Sequence, residues 1–175
     1  ATNPYYNAML PSENRSKILS VTNNTNLNWY IIDNLRWTAS MSLNTTNTDN
    51  MNFTDPAHTK YASSDYTKQG EYSSSKSKSW RYTMNTGIAY ALSLNDHNLT
   101  FNGRAEIRST SSNTESFVAT GFPKGVGAIP SFAYSFKENS TPGYSESISR
   151  GVSFLGTFNY NYKYRYLFDA SLSSD

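Results

Sequence analysis

Hydrophobic and polar residues alternate with a period of two over long stretches of this chain, and no stretch shows helical periodicity. In residues 35–45, Leu35, Trp37 and Met41 occupy one set of alternate positions, and Arg36 and Ser40 occupy the other. Successive side chains of a β-strand point to opposite sides of the sheet, so this pattern is typical of a strand with one apolar and one polar face. The segment therefore predicts a two-faced strand.

Five further segments show the same alternation, less cleanly in the first of them. These segments are residues 19–29, 80–92, 99–107, 148–162 and 166–172. Short connections at Ile31–Asn34, near Leu94–His97 and around Lys163–Tyr164 join the six segments in pairs, and the Asp-Asn step of the first favours a turn. Two alternating segments across a short turn indicate a hairpin. The sequence therefore predicts an all-β, antiparallel fold of about six strands arranged as three hairpins.

The connections between the hairpins are long and polar, and they cover residues 46–79 and 110–147. Transmembrane β-barrels have short periplasmic turns and long extracellular loops, whereas long irregular loops are uncommon in compact domains. A secreted carbohydrate-binding β-sandwich shows the same strand alternation, with the long loops as its sugar site, and is the alternative interpretation. Six strands are fewer than the roughly eight of the smallest barrels, and open sheet edges are unstable in lipid. We therefore expect a segment of a larger transmembrane barrel.

Large aromatic residues are concentrated near the ends of the predicted strands. Those beside the short turns are Trp29, Trp37, Tyr90, Tyr160, Tyr162 and Tyr166, and those at the loop end are Trp80 and Tyr82. Two such rows resemble the interfacial aromatic belts of membrane barrels, where an amphipathic ring lies between headgroups and hydrocarbon. Ordinary enrichment of aromatic residues in strands is the simpler explanation.

Composition narrows the functional classes. Hydrophobic residues make up 37% of the 175 residues and aromatic residues 15%, so the chain is polar for a globular domain yet too aromatic for a disordered one. The net charge of +2 and the short, serine-interrupted run Lys76–Arg81 do not indicate a nucleic-acid partner. Without cysteine there is no disulfide scaffold or thiolate metal site. The run Asp49–Asp55 lacks the central glycine and terminal glutamate of a calcium loop.

No enzyme signature accompanies the two histidines, so we expect no catalytic residues, metal or cofactor. The candidate functional residues are charges on the polar face, which in a barrel would point into the lumen and contact a plug or a solute, or would simply keep the wall hydrated. These lumen-facing candidates are Arg36, Arg81, Arg104, Glu106, Arg108 and Asp169. Aromatic residues in the long connections could contact a substrate or a partner protein, or could pack within their own loops. They are Tyr61, Tyr66, Tyr72, Phe117, Phe122 and Phe132.

Three segments, in order along the chain, resemble the barrel of SusC/RagA-type TonB-dependent transporters. The residues 151–162, GVSFLGTFNYNY, followed by 165–172, RYLFDASL, are similar to a family stretch of the form GFLGRLNYSY…RYLLDASLRRDGSS. The opening NPYYNAML, residues 3–10, is similar to the family's NPLYNATL. The hairpin from Trp29 to Leu43 is similar to the family hairpin W…I-x-G-L.

The resemblance implies a 22-stranded barrel with a plugged lumen in the outer membrane of a Gram-negative bacterium. It implies import of oligosaccharides or peptides, a SusD-like surface lipoprotein that caps the mouth, and energy supplied by TonB. Residues 1–175 would then be a partial barrel domain, with the plug and the remaining strands absent from this chain.

Overall fold

A computed structural model describes residues 4–175 of the chain, so Asn3 of the opening motif lies outside the described residues. The elements are α1 (Pro4–Ala8), β1 (Glu13–Ile32), β2 (Leu35–Thr54), β3 (Glu71–Leu94), β4 (His97–Thr120), β5 (Ser135–Phe136), β6 (Gly143–Tyr162) and β7 (Tyr166–Ser174). Short 3₁₀ helices at Thr59–Tyr61, Tyr66–Lys68 and Pro130–Phe132 lie in the two long connections. The predicted all-β architecture is thus confirmed, with β5 as one short strand more than expected.

All of these strands belong to a single antiparallel sheet. Its order is β1-β2-β3-β4-β6-β7, and β5 pairs with the end of β4. The last hairpin is tightly registered, with Tyr162 opposite Tyr166 and Phe154 opposite Ser174. The sheet is not closed. A β-sandwich needs two facing sheets, whereas the strands of residues 4–175 form one, so the sandwich architecture is not what this chain adopts.

The strands are longer than the alternation predicted. β2 continues to Thr54 and β4 to Thr120, while β3 begins at Glu71 and β6 at Gly143. These extensions are rich in asparagine, serine and threonine on both faces, so they lack the period-two signal that reveals a strand with one apolar face. Most of the run Asp49–Asp55 therefore belongs to β2 and is not a loop.

The chain divides into two compact units. The loop unit comprises the chain up to Ser20, Thr46–Ser79 and Ser112–Ser147, and the turn unit comprises Val21–Thr45, Trp80–Ser111 and Ile148–Asp175. The loop unit holds the long connections, and the turn unit holds the three short turns. No helix among the described residues is both long enough and apolar enough to cross a membrane.

The loop unit has a small hydrophobic core. Met51, Phe53, Ala119 and Phe122 are buried there, and the rings of Phe53 and Phe122 meet edge to face with centroids 5.3 Å apart. Gly121 makes the turn into this core with a φ of 79°. A Cβ at this position would lie 2.5 Å from the carbonyl oxygen of Thr67, so both the conformation and the space require glycine.

Polar contacts tie the two long connections to each other. The ammonium of Lys68 lies 2.5 Å from the carboxylate of Glu138, and that of Lys137 lies 2.8 Å from Glu71. Both pairs are exposed at the lysine, where water screens the attraction, so each contributes little to stability. The fixed shape of the loop unit therefore depends mainly on its buried core rather than on these ion pairs.

Candidate functional site

Cross-strand hydrogen bonds run along the polar face of the turn unit. Near one edge, the hydroxyl of Ser42 donates to the side-chain oxygen Oδ1 of Asn24 at 2.7 Å. Near the other edge, the amide of Asn159 donates to Asp169 at 2.7 Å, between directly opposed residues of β6 and β7. Such pairs satisfy the polar side chains within the face itself, and they fix which residues share that face.

Three of the predicted charges form a ladder on β4. Arg104, Glu106 and Arg108 are alternate residues of one strand, and both arginines contact the glutamate, at 3.1 and 3.6 Å. Arg104 also donates to the side-chain oxygen of Asn85 on β3, at 2.7 Å from Nη2. Arg81 donates from Nε to the hydroxyl of Thr110 at 3.2 Å. The arginines outnumber the one carboxylate of the ladder, so this part of the face is basic.

Glycine makes room for one of these arginines. A Cβ at Gly151 of β6 would lie 2.8 Å from Nε of Arg108, so the guanidinium stem of Arg108 occupies the space above that glycine. On β3, a Cβ at Gly87 would lie 2.9 Å from the hydroxyl of Thr38. Small residues thus leave shallow depressions in the polar face between its long polar side chains.

One of these depressions is a concavity of about 420 Å³ beside Gly87. Arg36 and Arg104 line it together with asparagine side chains, and Gly87 and Ala89 also contribute. The asparagines are Asn26, Asn28, Asn85 and Asn102. No acidic residue lines it, and no carboxylate of the described chain comes within 4.0 Å of Arg36. The concavity is therefore a polar, basic recess.

The opposite face of the turn unit is apolar. One groove there, of about 490 Å³, is lined by Trp37, Ile88, Phe101, Phe154 and Leu172. A second groove, of about 360 Å³, is lined mainly by aliphatic and aromatic side chains that include Met41, Met84 and Ile107. The exposure of these side chains on one face contrasts with the charge on the other, as the alternation predicted.

Aromatic residues predicted as belts contact one another at both ends of the turn unit's strands. The rings of Trp29 and Trp37 meet edge to face at 6.3 Å, and those of Trp80 and Tyr82 lie 6.4 Å apart. Tyr162 stacks on Tyr166 at 6.4 Å. Tyr90 and Tyr160 also lie at alternate positions shared with apolar neighbours. The membrane role of these rows stays a prediction.

His97 packs with the aromatic residues beside two of the short turns. The sequence did not predict this contact. Its Nδ1 lies 2.7 Å from the hydroxyl of Tyr160, and its ring packs on Tyr162 with centroids 4.8 Å apart. The backbone N–H of Lys163 donates to the carbonyl of Asp96 at 2.8 Å, which links the two turns directly. The contact depends on register between strands distant in sequence, so no local signal could have found it.

Replacing Trp37 with phenylalanine should destabilise the turn unit by about 0.5–1.5 kcal/mol. The indole N–H of Trp37 donates to the hydroxyl of Thr86 at 2.9 Å on the apolar face, and phenylalanine would leave that hydroxyl without its donor. The measurement is the denaturant midpoint of the folded protein. The control is Trp29→Phe, which keeps an aromatic ring in the same edge-to-face pair, and equal losses in the two variants would contradict the role of the hydrogen bond.

The loop aromatics fall into two groups. Tyr61 and Phe122 are buried, and Tyr72 and Phe117 are half-buried and stack on each other at 5.8 Å, so these four pack within the loop unit. Burial raises the pKa of the Tyr61 phenol, and Glu71 adds to the shift. Tyr66 and Phe132 are exposed, and Tyr134, which the sequence did not single out, meets Tyr66 edge to face at 6.3 Å.

The fold is similar to that of solved peptide transporters. The chain matches the structure of the RagAB peptide transporter with a TM-score of 0.81 at 20% identity, over 97% of this chain and 18% of that one. It matches the RagAB peptide importer in its "closed-closed" state with a TM-score of 0.80 at 20% identity, and in its "open-open" state with 0.79 at 19%, over the same shares of each chain. No protein-family profile and no curated protein matches the chain.

These likenesses confirm the predicted fold, because the antiparallel sheet of this chain matches part of the solved transporter chains. This chain spans only 18% of the RagAB chain that it matches. The structures that it resembles are transporters rather than enzymes.

Proposed function

We propose that this chain forms part of the barrel wall of a SusC-type, TonB-dependent importer of oligosaccharides or peptides. The observation that carries the proposal is the two-faced turn unit, in which an arginine- and asparagine-lined face opposes an almost wholly apolar one. In a barrel wall the polar face lines the lumen and the apolar face meets lipid. Arg36, Arg81, Arg104, Glu106, Arg108 and Asp169 would then point into the lumen.

The open sheet supports a larger parent molecule. In lipid, the unpaired N–H and C=O groups of β1 and β7 would have no hydrogen-bond partners, so further strands must complete the barrel. We propose that residues 1–175 are a partial barrel domain in the outer membrane of a Gram-negative bacterium. The plug, the segment that contacts the TonB complex and the remaining strands belong to other parts of the parent chain.

The loop unit is the proposed docking place of a SusD-like surface lipoprotein. Tyr66 and Tyr134 are 72% and 67% exposed, and their rings form a ready-made aromatic pair at the surface. Exposed aromatic residues supply large, rigid contact areas at protein interfaces and on sugar rings. Tyr61 and Phe122 do not enter this proposal because they are buried in the loops.

A gel of purified outer membranes, run before and after boiling, tests this function. We expect the native protein in the membrane fraction as a band several times larger than 19.6 kDa, whose mobility shifts when it is boiled. Such a shift reports a stable barrel, because a closed barrel resists detergent until it is heated. A soluble 19.6 kDa species that never enters the membrane fraction would contradict the proposal.

A further inference from the structure

We infer that the recess between Arg36 and Arg104 on the polar face of the turn unit binds a carboxylate group. The inference rests on the proposed function, since it assumes that this face lines the path of an imported solute. It goes beyond that function because it names the class of ligand that the recess prefers. That ligand is acidic or zwitterionic rather than uncharged.

The charges that line the recess favour an anionic ligand. Two guanidinium groups and four asparagine amides line it, and no acidic side chain does. Arg104 is held by two hydrogen bonds to Asn85 and by Glu106, so its position is fixed. Arg36 has no carboxylate within 4.0 Å among residues 4–175, so its charge is not neutralised by an acidic neighbour. Guanidinium is the side-chain group best matched to a carboxylate, through two parallel N–H···O bonds.

The size and shape of the recess suit a small ligand. Its volume of about 420 Å³ lies in the range of small-ligand sites. Gly87 and Ala89 contribute to its lining, and their minimal side chains let a ligand approach the sheet between the two arginines. Asparagine amides both donate and accept hydrogen bonds, so they suit the amide or hydroxyl groups beside the carboxylate of a peptide or an acidic sugar.

The carboxylate could come from the solute or from another segment of the parent chain that lies in the lumen, and one experiment distinguishes these sources. Binding of triglycine, as the free acid and as the carboxamide, is measured on the full-length protein in detergent. Arg36→Gln removes the charge that has no acidic neighbour. The control, Arg150→Gln, removes an arginine of β6 that shares alternate positions with Phe154 and therefore lies on the face opposite the recess. The temperature at which the native gel band disappears is recorded for each variant without ligand.

A second pair of variants tests the recess by adding charge. Ala89→Asp places a carboxylate in the recess, whereas Ala91→Asp places one two residues further along the same face of β3, where it does not line the recess. The native band before boiling shows that each variant folds. Like charges held close together repel, so only Ala89→Asp should weaken binding of the acid.

We expect Arg36→Gln and Ala89→Asp to weaken binding of free triglycine by about tenfold or more while binding of the carboxamide is unchanged, and both controls to bind like wild type. If neither probe's binding changes but Arg36→Gln alone lowers the melting temperature of the native band, the carboxylate comes from the parent chain. Equal losses for acid and carboxamide, or no change in either readout, would overturn the inference. A protein that binds and imports solutes normally in that case would leave the proposed function intact.

Discussion

Phe154→Arg should destabilise the folded barrel by about 2–4 kcal/mol, whereas Ser153→Arg, one residue earlier, should change its stability by less than about 1 kcal/mol. Phe154 lines the apolar groove of the turn unit together with Leu172, and Ser153 takes the alternate position on β6 and faces the other side. Arginine on a lipid-exposed face loses its hydration near the middle of the bilayer, but on a lumen-lining face it stays in water. The paired variants differ only in which face receives the charge.

The measurement is the free energy of unfolding in denaturant of the full-length protein inserted in phospholipid vesicles. A water-soluble sheet would show the reverse order or no difference, because neither face would then meet hydrocarbon. Similar losses in both variants would mean that the two faces meet the same surroundings, and the proposed lipid-facing surface would have to be given up.

The face of each strand in the turn unit could be predicted from sequence because one physical demand fixes it locally. A strand with one polar and one apolar face must alternate, so Arg36 and Trp37 could be assigned to opposite faces from their neighbours alone. The positions of the arginines on the polar face followed in the same way. The contact of Glu106 with both Arg104 and Arg108 is also local, since alternate residues of one strand lie side by side.

The recess could not be predicted, because it depends on the register between strands. Asn26 on β1 and Asn102 on β4 line it together although they are far apart in the sequence. The alternate asparagines at residues 24, 26 and 28 were visible as a polar row, but nothing local indicated that they come near Gly87 and Arg104. A one-residue change of register would put the same side chains on the other face, so such sites require the structure.

The ends of the strands were also beyond the sequence signal. β2 and β4 continue into stretches where both faces carry serine, threonine and asparagine, so periodicity no longer separates strand from loop. The same stretches contain the loop core, whose members are isolated apolar residues such as Met51 and Phe53 in a polar background. Sequence alone left open whether such residues pack inward or face a partner, and for Phe122 the structure places the ring inside.

Phe53→Ala should cost the loop unit about 3–5 kcal/mol, which is the usual loss for removing a fully buried phenylalanine. Phe53 is 1% exposed, and it packs against Phe122 and Met51 in a core of only a few residues. Because the core has so few residues, the loss of one large side chain removes much of its stability. We expect the loop unit to open locally while the turn unit stays folded. Amide hydrogen exchange of the full-length protein measures this directly, as loss of protection confined to the three segments of the loop unit, which are residues 4–20, Thr46–Ser79 and Ser112–Ser147.

The matched control is Phe132→Ala, which removes an aromatic ring from the same connection that carries Phe122 but at a position that is 48% exposed. Its cost to stability should stay within about 0.5 kcal/mol, as for most surface substitutions. If the loop unit is a docking surface, Phe53→Ala abolishes partner binding through unfolding, whereas Phe132→Ala can weaken binding only by removing a contact. Equal loss of protection in the two variants would mean that the loop unit has no independent core, and its proposed role as a rigid docking surface would fail with it.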